Sequence, residues 1–362
     1  MRKDSKRHSS EEVSSSVKYA LNGRFLSRQM TGVDRYAYEL IRELARGEEA
    51  WRFCLAVPLG VDVPPEFAGI AVVVVGKLNG AMWEQIDFAR FAKKRKLTPV
   101  NLCNAAPVLG PGIVCIHDMA VRAHPSFYSL RFRLWYRLLF ACNVRNAKAI
   151  ATVTDFSRRE IEKYYPAAKG RAQIVPDAWQ HVERVKADEG AFSKHPALRK
   201  GSYYFAMSSL APNKNLKWLV ETARLNPQET IAVAGGINRK VFGEHSIPEA
   251  ENVVYLGYVS DGEAKALMQH CKGFLFPTFY EGFGIPPMEA LACGAQAAVS
   301  DNPCMREVYE RSVHCINPNV PCSSLSALFG KQTGASDVVL GRYSWEKSAR
   351  ELIALIEKSN LV

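Results

Sequence analysis

Long apolar runs are missing from this 362-residue chain. No stretch approaches the roughly 18–20 residues that a membrane-spanning helix needs, and the longest, around Gly69–Gly76, suits a buried strand. The N-terminus, Met1-Arg-Lys-Asp-Ser-Lys-Arg-His-Ser-Ser, has no apolar stretch behind it, so no secretory signal is expected. Cys-x-x-Cys pairs are lacking too, because nine cysteines, an odd number, are scattered from Cys54 to Cys322. That argues against a disulfide framework or a zinc site and predicts reduced, mostly buried thiols of a cytoplasmic protein. The histidines have no metal-ligand spacing, Asp-x-Asp occurs nowhere, and no fixed-period repeat is visible.

What is present is the balance of a soluble globular chain, 48% hydrophobic and 23% charged. The length suggests two domains. The net charge of +11 is unevenly placed: residues 1–180 carry 28 Lys and Arg against 17 Asp and Glu, and residues 181–362 carry 19 of each. Two readings stay open. The first half faces something anionic (nucleic acid, a membrane surface or a phosphorylated acceptor), or it is a basic surface kept for solubility.

Residues 1–16 are polar and Ser-rich and read as a flexible tail. From Val17 short apolar runs alternate with helical periods. Val17–Leu21 is the first expected strand, and Val33, Tyr36, Ala37, Leu40, Ile41 and Leu44 fall on one helical face. Strands are expected at Ala71–Val75, Gly112–Ile116, Ala149–Val153 and Gln173–Val175, several apolar throughout, as parallel strands covered on both faces are. The pattern restarts with Tyr203–Met207, Thr230–Ala234, Val253–Leu256, Gly273–Phe276 and Gln296–Val299. Helical segments near Asn215–Arg224, Gly262–Cys271, Pro287–Ala292 and Leu325–Phe329 separate these runs. The charged stretch Ala178–Gly201 between the two series marks a domain boundary. The reading is therefore α/β, with doubly wound domains at 17–180 and 181–342 and a final helix in 343–362 whose buried face holds Trp345, Ala349, Leu352, Ile353 and Ile356.

The strongest chemical signal is Phe274-Leu-Phe-Pro-Thr-Phe-Tyr-Glu281-Gly-Phe-Gly284-Ile-Pro-Pro-Met-Glu289-Ala-Leu-Ala-Cys-Gly294. It reads as a strand, a glycine-punctuated loop and a helix opened by Pro286-Pro287. The amides of Phe283, Gly284 and Ile285 would be free at that helix start, a prepared site for phosphate. Gly284 would let the backbone approach the ligand. Glu289, expected in the first turn, could accept from two adjacent ribose hydroxyls, and Glu281 could reach the group beyond the phosphates.

This motif, in the form Glu-Gly-Phe-Gly-x-Pro-Pro-x-Glu-Ala-x-Ala-x-Gly, resembles the retaining glycosyltransferases of family 4, which have the GT-B fold of two Rossmann-like domains facing across a cleft. Further stretches resemble that family in the same order: Asn22-Gly-Arg-Phe-Leu with Thr31-Gly32-Val33, Ile116-His117-Asp118, Thr152-Val-Thr-Asp-Phe-Ser-Arg-Arg-Glu160, Leu256-Gly-Tyr-Val259 and Tyr343-Ser-Trp-Glu-Lys347. The resemblance implies a nucleotide-sugar donor held by the second domain, an acceptor on the first, and a last helix that packs back on the first. Glu281 would contact the donor sugar, Glu289 the ribose and Phe283–Ile285 the phosphates, with Val259 also on the donor side. Lys214, in Ser208-Ser-Leu-Ala-Pro-Asn-Lys-Asn215, matches the family's pyrophosphate-binding lysine. Many relatives have an arginine five residues earlier; Ser209 stands there, and Asn213 fills another commonly basic place.

Gly32 resembles the family's glycine loop against the donor phosphates, although a simple turn capped by Thr31 explains it as well. His117 resembles the histidine that contacts the donor sugar, with Asp118 orienting it or capping the next turn; a structural histidine is the other reading. Trp83-Glu84-Gln85 and Asn101-Leu-Cys-Asn104 fit an acceptor pocket or core packing equally well. Lys93-Lys-Arg-Lys96 reads as the solvated end of a helix, with contact to an anionic surface the second reading. The missing Asp-x-Asp is the usual metal signature of the other large glycosyltransferase fold, so no cofactor or metal is expected. The resemblance implies transfer of a hexose, mannose from GDP-mannose first, to a glycan or lipid-linked glycan in polysaccharide synthesis, in the cytoplasm or peripherally at the inner membrane face. A non-catalytic sugar-nucleotide-binding module, favoured by Ser209, and a GT-B sugar-nucleotide epimerase are the alternatives. No nucleic-acid recognition module is found.

Overall fold

The computed structural model describes residues 14–207, 211–235 and 249–360. Most of the expected polar tail, residues 1–13, and Ser209 lie outside the described residues.

The first domain is a parallel sheet of seven strands: β1 (Tyr19–Asn22), β2 (Phe53–Val57), β3 (Ala71–Val74), β4 (Thr98–Asn101), β5 (Ile113–Cys115), β6 (Ala149–Thr152) and β7 (Ala172–Ile174), in the order β3-β2-β1-β4-β5-β6-β7. The second is a parallel sheet of six: β8 (Tyr203–Met207), β9 (Thr230–Ala234), β10 (Val253–Gly257), β11 (Gly273–Phe276), β12 (Ala297–Ser300) and β13 (His314–Ile316), in the order β10-β9-β8-β11-β12-β13. Each order reverses once, between β1 and β4 and between β8 and β11. Open α/β sheets bind ligands in the crevice at such a reversal, outside the carboxyl ends of the strands.

Three strands carried no expectation. Phe53–Val57 is fully buried and apolar, but short. In β4, Pro99 argues against a central strand, yet β4 pairs with both β1 and β5. His314–Ile316 has only three residues. The long apolar run read as a buried strand is instead the edge strand β3, with Val74 39% exposed, because only β2 pairs with it. The cysteines are all free, but most are half-buried; only Cys54, Cys115 and Cys304 are buried and Cys315 is exposed.

The helices that position the site have local start signals. In α1 (Gly32–Arg46) the Asp34 carboxylate accepts from both the N–H and the hydroxyl of Thr31, at 3.1 and 2.7 Å. Ser129 caps α2 (Leu130–Asn146) and Thr154 caps α3 (Asp155–Tyr164). After the short α4 (His181–Arg184) come α5 (Ile285–Ala292), opened by its two prolines, and α6 (Pro303–Tyr309), capped by Asn302. The last helix, α7 (Trp345–Lys358), is capped by Ser344.

The charged stretch after Ala178 packs with the second domain: Lys265 Nζ donates to the carbonyls of Val182 and Val185, both at 2.8 Å, and Asp188 N–H to that of Gly262 at 2.9 Å. The last helix returns to the first domain. Leu352, Leu355 and Ile356 join its core, Ser348 donates to the Pro176 carbonyl at 2.7 Å, and Asn360 to the Tyr19 hydroxyl at 2.7 Å.

Candidate active site

Two loops that leave the carboxyl ends of β8 and β11 meet at the reversal in the second sheet. Lys214 ends a short 3-10 turn after β8, and Glu281 lies in the loop between β11 and α5. Their side chains pair, Nζ to Oε1 at 2.6 Å, with the ammonium 5.5 Å from the Phe276 ring centre. Burial pushes the Glu281 carboxyl above the usual carboxylate range, and the Lys214 charge pulls the other way.

Past Glu281 the two motif glycines have separate structural reasons. At Gly282 a Cβ would lie 2.1 Å from the carbonyl oxygen of His117, so only glycine lets the two domains touch there. Gly284 has φ +83°, a left-handed conformation that disfavours other residues, and precedes α5 directly. Phe283 and Ile285 bury their side chains, Phe283 edge-on to Tyr343, and leave their backbone at the start of α5. Because Pro286 and Pro287 have no N–H, the amides of Gly284 and Ile285 are the donors that this helix start offers. The helix begins two residues before the expected start, which corrects one expectation: Glu289 stands one turn into α5, not in its first turn. Its Oε1 accepts from His181 Nε2 at 2.7 Å. Beside it Asp177 is fully buried, and burial with the Glu289 charge holds its carboxyl well above the usual range.

From the first domain, His117 follows β5. Its Nε2 sits 2.8 Å from the Leu102 carbonyl, which can only accept, so Nε2 carries the proton. The ring is buried against Tyr36 at 4.6 Å, and burial pushes it below its ordinary value, so it stays neutral. Asp118 caps the next turn by accepting from Ala120 N–H at 2.8 Å, the second of its two expected roles. Gly32 is exposed at the start of α1, and a Cβ there would meet nothing within 4 Å, which leaves open space at that helix end. Val259 is half-buried against the core after β10. Trp83, Glu84 and Asn101 are buried together, with Asn22 donating to Glu84 at 3.0 Å and to Asn101 at 2.9 Å, so this set packs inside the first domain.

The domains close on one another beside Glu281. Thr154 and Ser157 donate to the Gly282 carbonyl at 2.7 and 3.2 Å, and Glu307 of α6 accepts the first amides of α3, Asp155 and Phe156, at 2.6 and 2.7 Å. A crevice of about 340 Å³ opens there, with His124, Phe156 and Lys163 on one wall and Phe279, Glu281 and Asn302 on the other. Sequence reasoning missed His181, Gly282 and Glu307. A lone histidine and a lone acid carry no spacing signal, and the need for glycine at 282 comes from a backbone 165 positions earlier in the chain.

Residues 189–320 match the family model described as glycosyl transferases group 1. The O-antigen chain mannosyltransferase B of Escherichia coli is 28% identical over 220 residues, 57% of this chain and 57% of that protein. The O-antigen chain mannosyltransferase RfbU of Salmonella typhimurium is 24% identical over 246 residues, 66% of this chain and 65% of that one. Both matches span less than two thirds of the relative's length. The crystal structure of Anabaena HepE in complex with UDP and glucose aligns with 94% of this chain and 99% of that one, at 15% identity and a TM-score of 0.64. The chain has the GT-B fold. Its residues 189–320 are similar to group 1 glycosyl transferases, and in the GT-B arrangement Lys214, Glu281 and Glu289 belong to the second domain while Gly32 and His117 belong to the first. Among the described residues, no three or more His, Cys, Asp or Glu side chains are grouped to hold a metal ion.

Proposed function

We propose that the protein is a retaining glycosyltransferase of family 4 that moves a hexose from a nucleoside diphosphate sugar to a hydroxyl of a glycan or lipid-linked glycan. The observation that carries this reading is the Lys214–Glu281 pair at the β8/β11 reversal, with the α5 start and Glu289 following it. Mannose from GDP-mannose is the favoured donor, supported by the names of the two O-antigen relatives. In this reaction the bond from the anomeric carbon to the diphosphate breaks. The acceptor oxygen bonds to that carbon on the same face, and its proton passes to the departing phosphate oxygen. The protein supplies position and charge. Lys214 and the α5 amides meet the growing charge on the diphosphate, Glu289 holds the ribose, and Glu281 and His117 contact the sugar. Gly32 leaves room at the phosphates, Val259 lies near the nucleotide, and Ser209 leaves Lys214 without the arginine that many relatives have.

Binding and turnover test the reading. GDP, in a thermal-shift panel with UDP, dTDP and ADP, should raise the melting temperature by mass action, and GDP-mannose should be consumed when an acceptor is present. Glu289→Ala should weaken GDP by about 1.5–3 kcal/mol, the range for hydrogen bonds to a charged group. Binding without turnover on any acceptor would leave a binding module, and no shift with any of the four nucleotides would overturn both readings. A chelator should leave the rate unchanged, since Lys214 and α5 hold the charge in this reading.

The partner on the acceptor side is an anionic membrane surface, and α2 supports this. Its sequence, Leu130-Arg-Phe-Arg-Leu-Trp-Tyr-Arg-Leu-Leu-Phe-Ala-Cys-Asn-Val-Arg-Asn146, has four arginines and no acid. Leu139, Phe140 and Val144 are buried, but Leu130, Leu134 and Leu138 are each more than half exposed and Trp135 is 40% exposed, one apolar ridge flanked by Arg131, Arg137 and Arg145. The register partners Ala20–Pro99 and Asn101–Val114 place this helix on the same sheet face as the helix that ends in exposed Lys93 and Lys94. No helix among the described residues is long and apolar enough to cross a membrane. Each basic residue near an anionic surface contributes about 1 kcal/mol, so association would be peripheral and reversible. Vesicles rich in phosphatidylglycerol should sediment the protein at low salt and release it at high salt, and Leu134→Glu/Leu138→Glu should abolish sedimentation. Equal sedimentation with neutral vesicles would reduce this face to a soluble surface.

A further inference from the structure

Glu289 is held from behind. His181 is buried, with Nε2 2.7 Å from Glu289 Oε1, and the indole Nε1 of Trp345 lies 3.2 Å from Nδ1 of the same ring. An indole nitrogen only donates, and an ionised carboxylate only accepts. Nδ1 therefore holds the lone pair and Nε2 the proton, so the two neighbours fix both the tautomer and the orientation of the imidazole. Trp345 is fixed in turn. It is fully buried as the first residue of α7, its N–H donates to Gln180 Oε1 at 3.3 Å, and its ring meets Tyr36 edge-on at 6.1 Å. Tyr36 donates to the Val175 carbonyl at 3.0 Å and turns its ring on His117. A continuous file thus runs from half-buried Glu289 through buried His181, Trp345 and Tyr36 to His117, from the second domain through the returning helix into the first.

We propose that His181 is a positioning residue for nucleotide ribose. Its Nε2–H holds Glu289 Oε1 and so presents Oε2 to the vicinal hydroxyls, and Trp345 keeps the imidazole in the orientation that does this. The proposal rests on the reading above that Glu289 meets the ribose. It gives the returning helix a function besides packing: its first residue sets the geometry of a nucleotide contact in the other domain.

Calorimetric titration of the full chain with GDP and UDP, each beside its 2′-deoxy form, tests it. His181→Phe should weaken the ribonucleotide about tenfold, the lower end for loss of a partner that orients a ligand-binding group, with a much smaller change for the 2′-deoxy form. His181→Gln, which restores an N–H near the same place, should recover most of the affinity. Trp345→Phe keeps the ring packing but removes the indole donor, and should shift the same selectivity in the same direction. The double variant His181→Phe/Glu289→Ala should bind no more weakly than Glu289→Ala alone, because the two act as one unit. Equal losses for ribo and deoxy forms, or additive losses in the double variant, would overturn the positioning role. If Glu289→Ala loses ribose selectivity while His181→Phe retains it, this inference fails and the ribose reading stands. If Glu289→Ala changes neither affinity, or if wild type binds neither GDP nor UDP, the ribose reading fails and takes the inference with it.

Discussion

Lys214→Ala is expected to lower turnover by about 10²–10³-fold, the effect of removing one preorganised donor from developing negative charge. Two structural facts sharpen this expectation. The ammonium stands 2.6 Å from Glu281 Oε1, so the substitution removes a counter-charge as well as a phosphate contact. Glu281 already titrates above the ordinary carboxylate range because it is buried, and Lys214 is the charge that opposes that shift. Without the lysine the carboxyl should shift further up, so the variant should lose activity at a higher pH than wild type as the solution is acidified. The sign follows from burial, which favours the neutral carboxylic acid. A pH–rate profile of both proteins checks it. A wild-type rate in Lys214→Ala would remove the lysine from the reaction, and an unshifted acid limb would separate it from Glu281.

Gly282→Val is expected to lower turnover about 10²-fold, the scale of an ångström-sized misplacement of reacting groups, while leaving GDP affinity unchanged. A Cβ at 282 would lie 2.1 Å from the His117 carbonyl oxygen and 2.9 Å from its carbon. These are backbone atoms, held by Ser157 Oγ at 2.8 Å on the same oxygen, so the clash cannot be relieved by rotating a side chain. The domains must separate, and the first-domain residues His117 and Gly32 move away from Glu281. The nucleotide contacts assigned to Lys214, α5 and Glu289 all lie in the second domain and move together. Turnover of GDP-mannose, GDP titration and small-angle scattering of the variant measure the three quantities. Loss of GDP binding in parallel with turnover would place the nucleotide against the first domain as well. Unchanged scattering would show that the contact at Gly282 does not set the distance between domains.

The amino-acid sequence by itself determined the local features. Apolar runs of strand length alternate with amphipathic stretches such as Val33–Leu44, and caps at Ser129, Thr154 and Ser344 stand one residue before their helices, because such signals act over a few residues. Glu281, Gly284 and Glu289 were legible as one motif for the same reason: strand, left-handed glycine and proline-opened helix occupy twenty consecutive positions. Strands that broke a local rule escaped, as Pro99 hid the central strand β4, and the run at Ala71–Val74 looked buried only because its place at the sheet edge is set by strand order. The tertiary structure alone decided which distant residues meet. Lys214 reaches Glu281 across 67 positions because β8 and β11 are neighbours where the sheet order reverses. His181 reaches both Glu289 and Trp345 because the chain returns from the second domain to the first, and nothing near His181 in the sequence announces either partner. The same holds for α2, whose apolar residues surround the whole helix: only packing against β5 and β6 selects Phe140 and Val144 for the core and leaves Leu134, Trp135 and Leu138 outside. Local chemistry sets what each residue can do, whereas strand order and the domain contact set what it can reach.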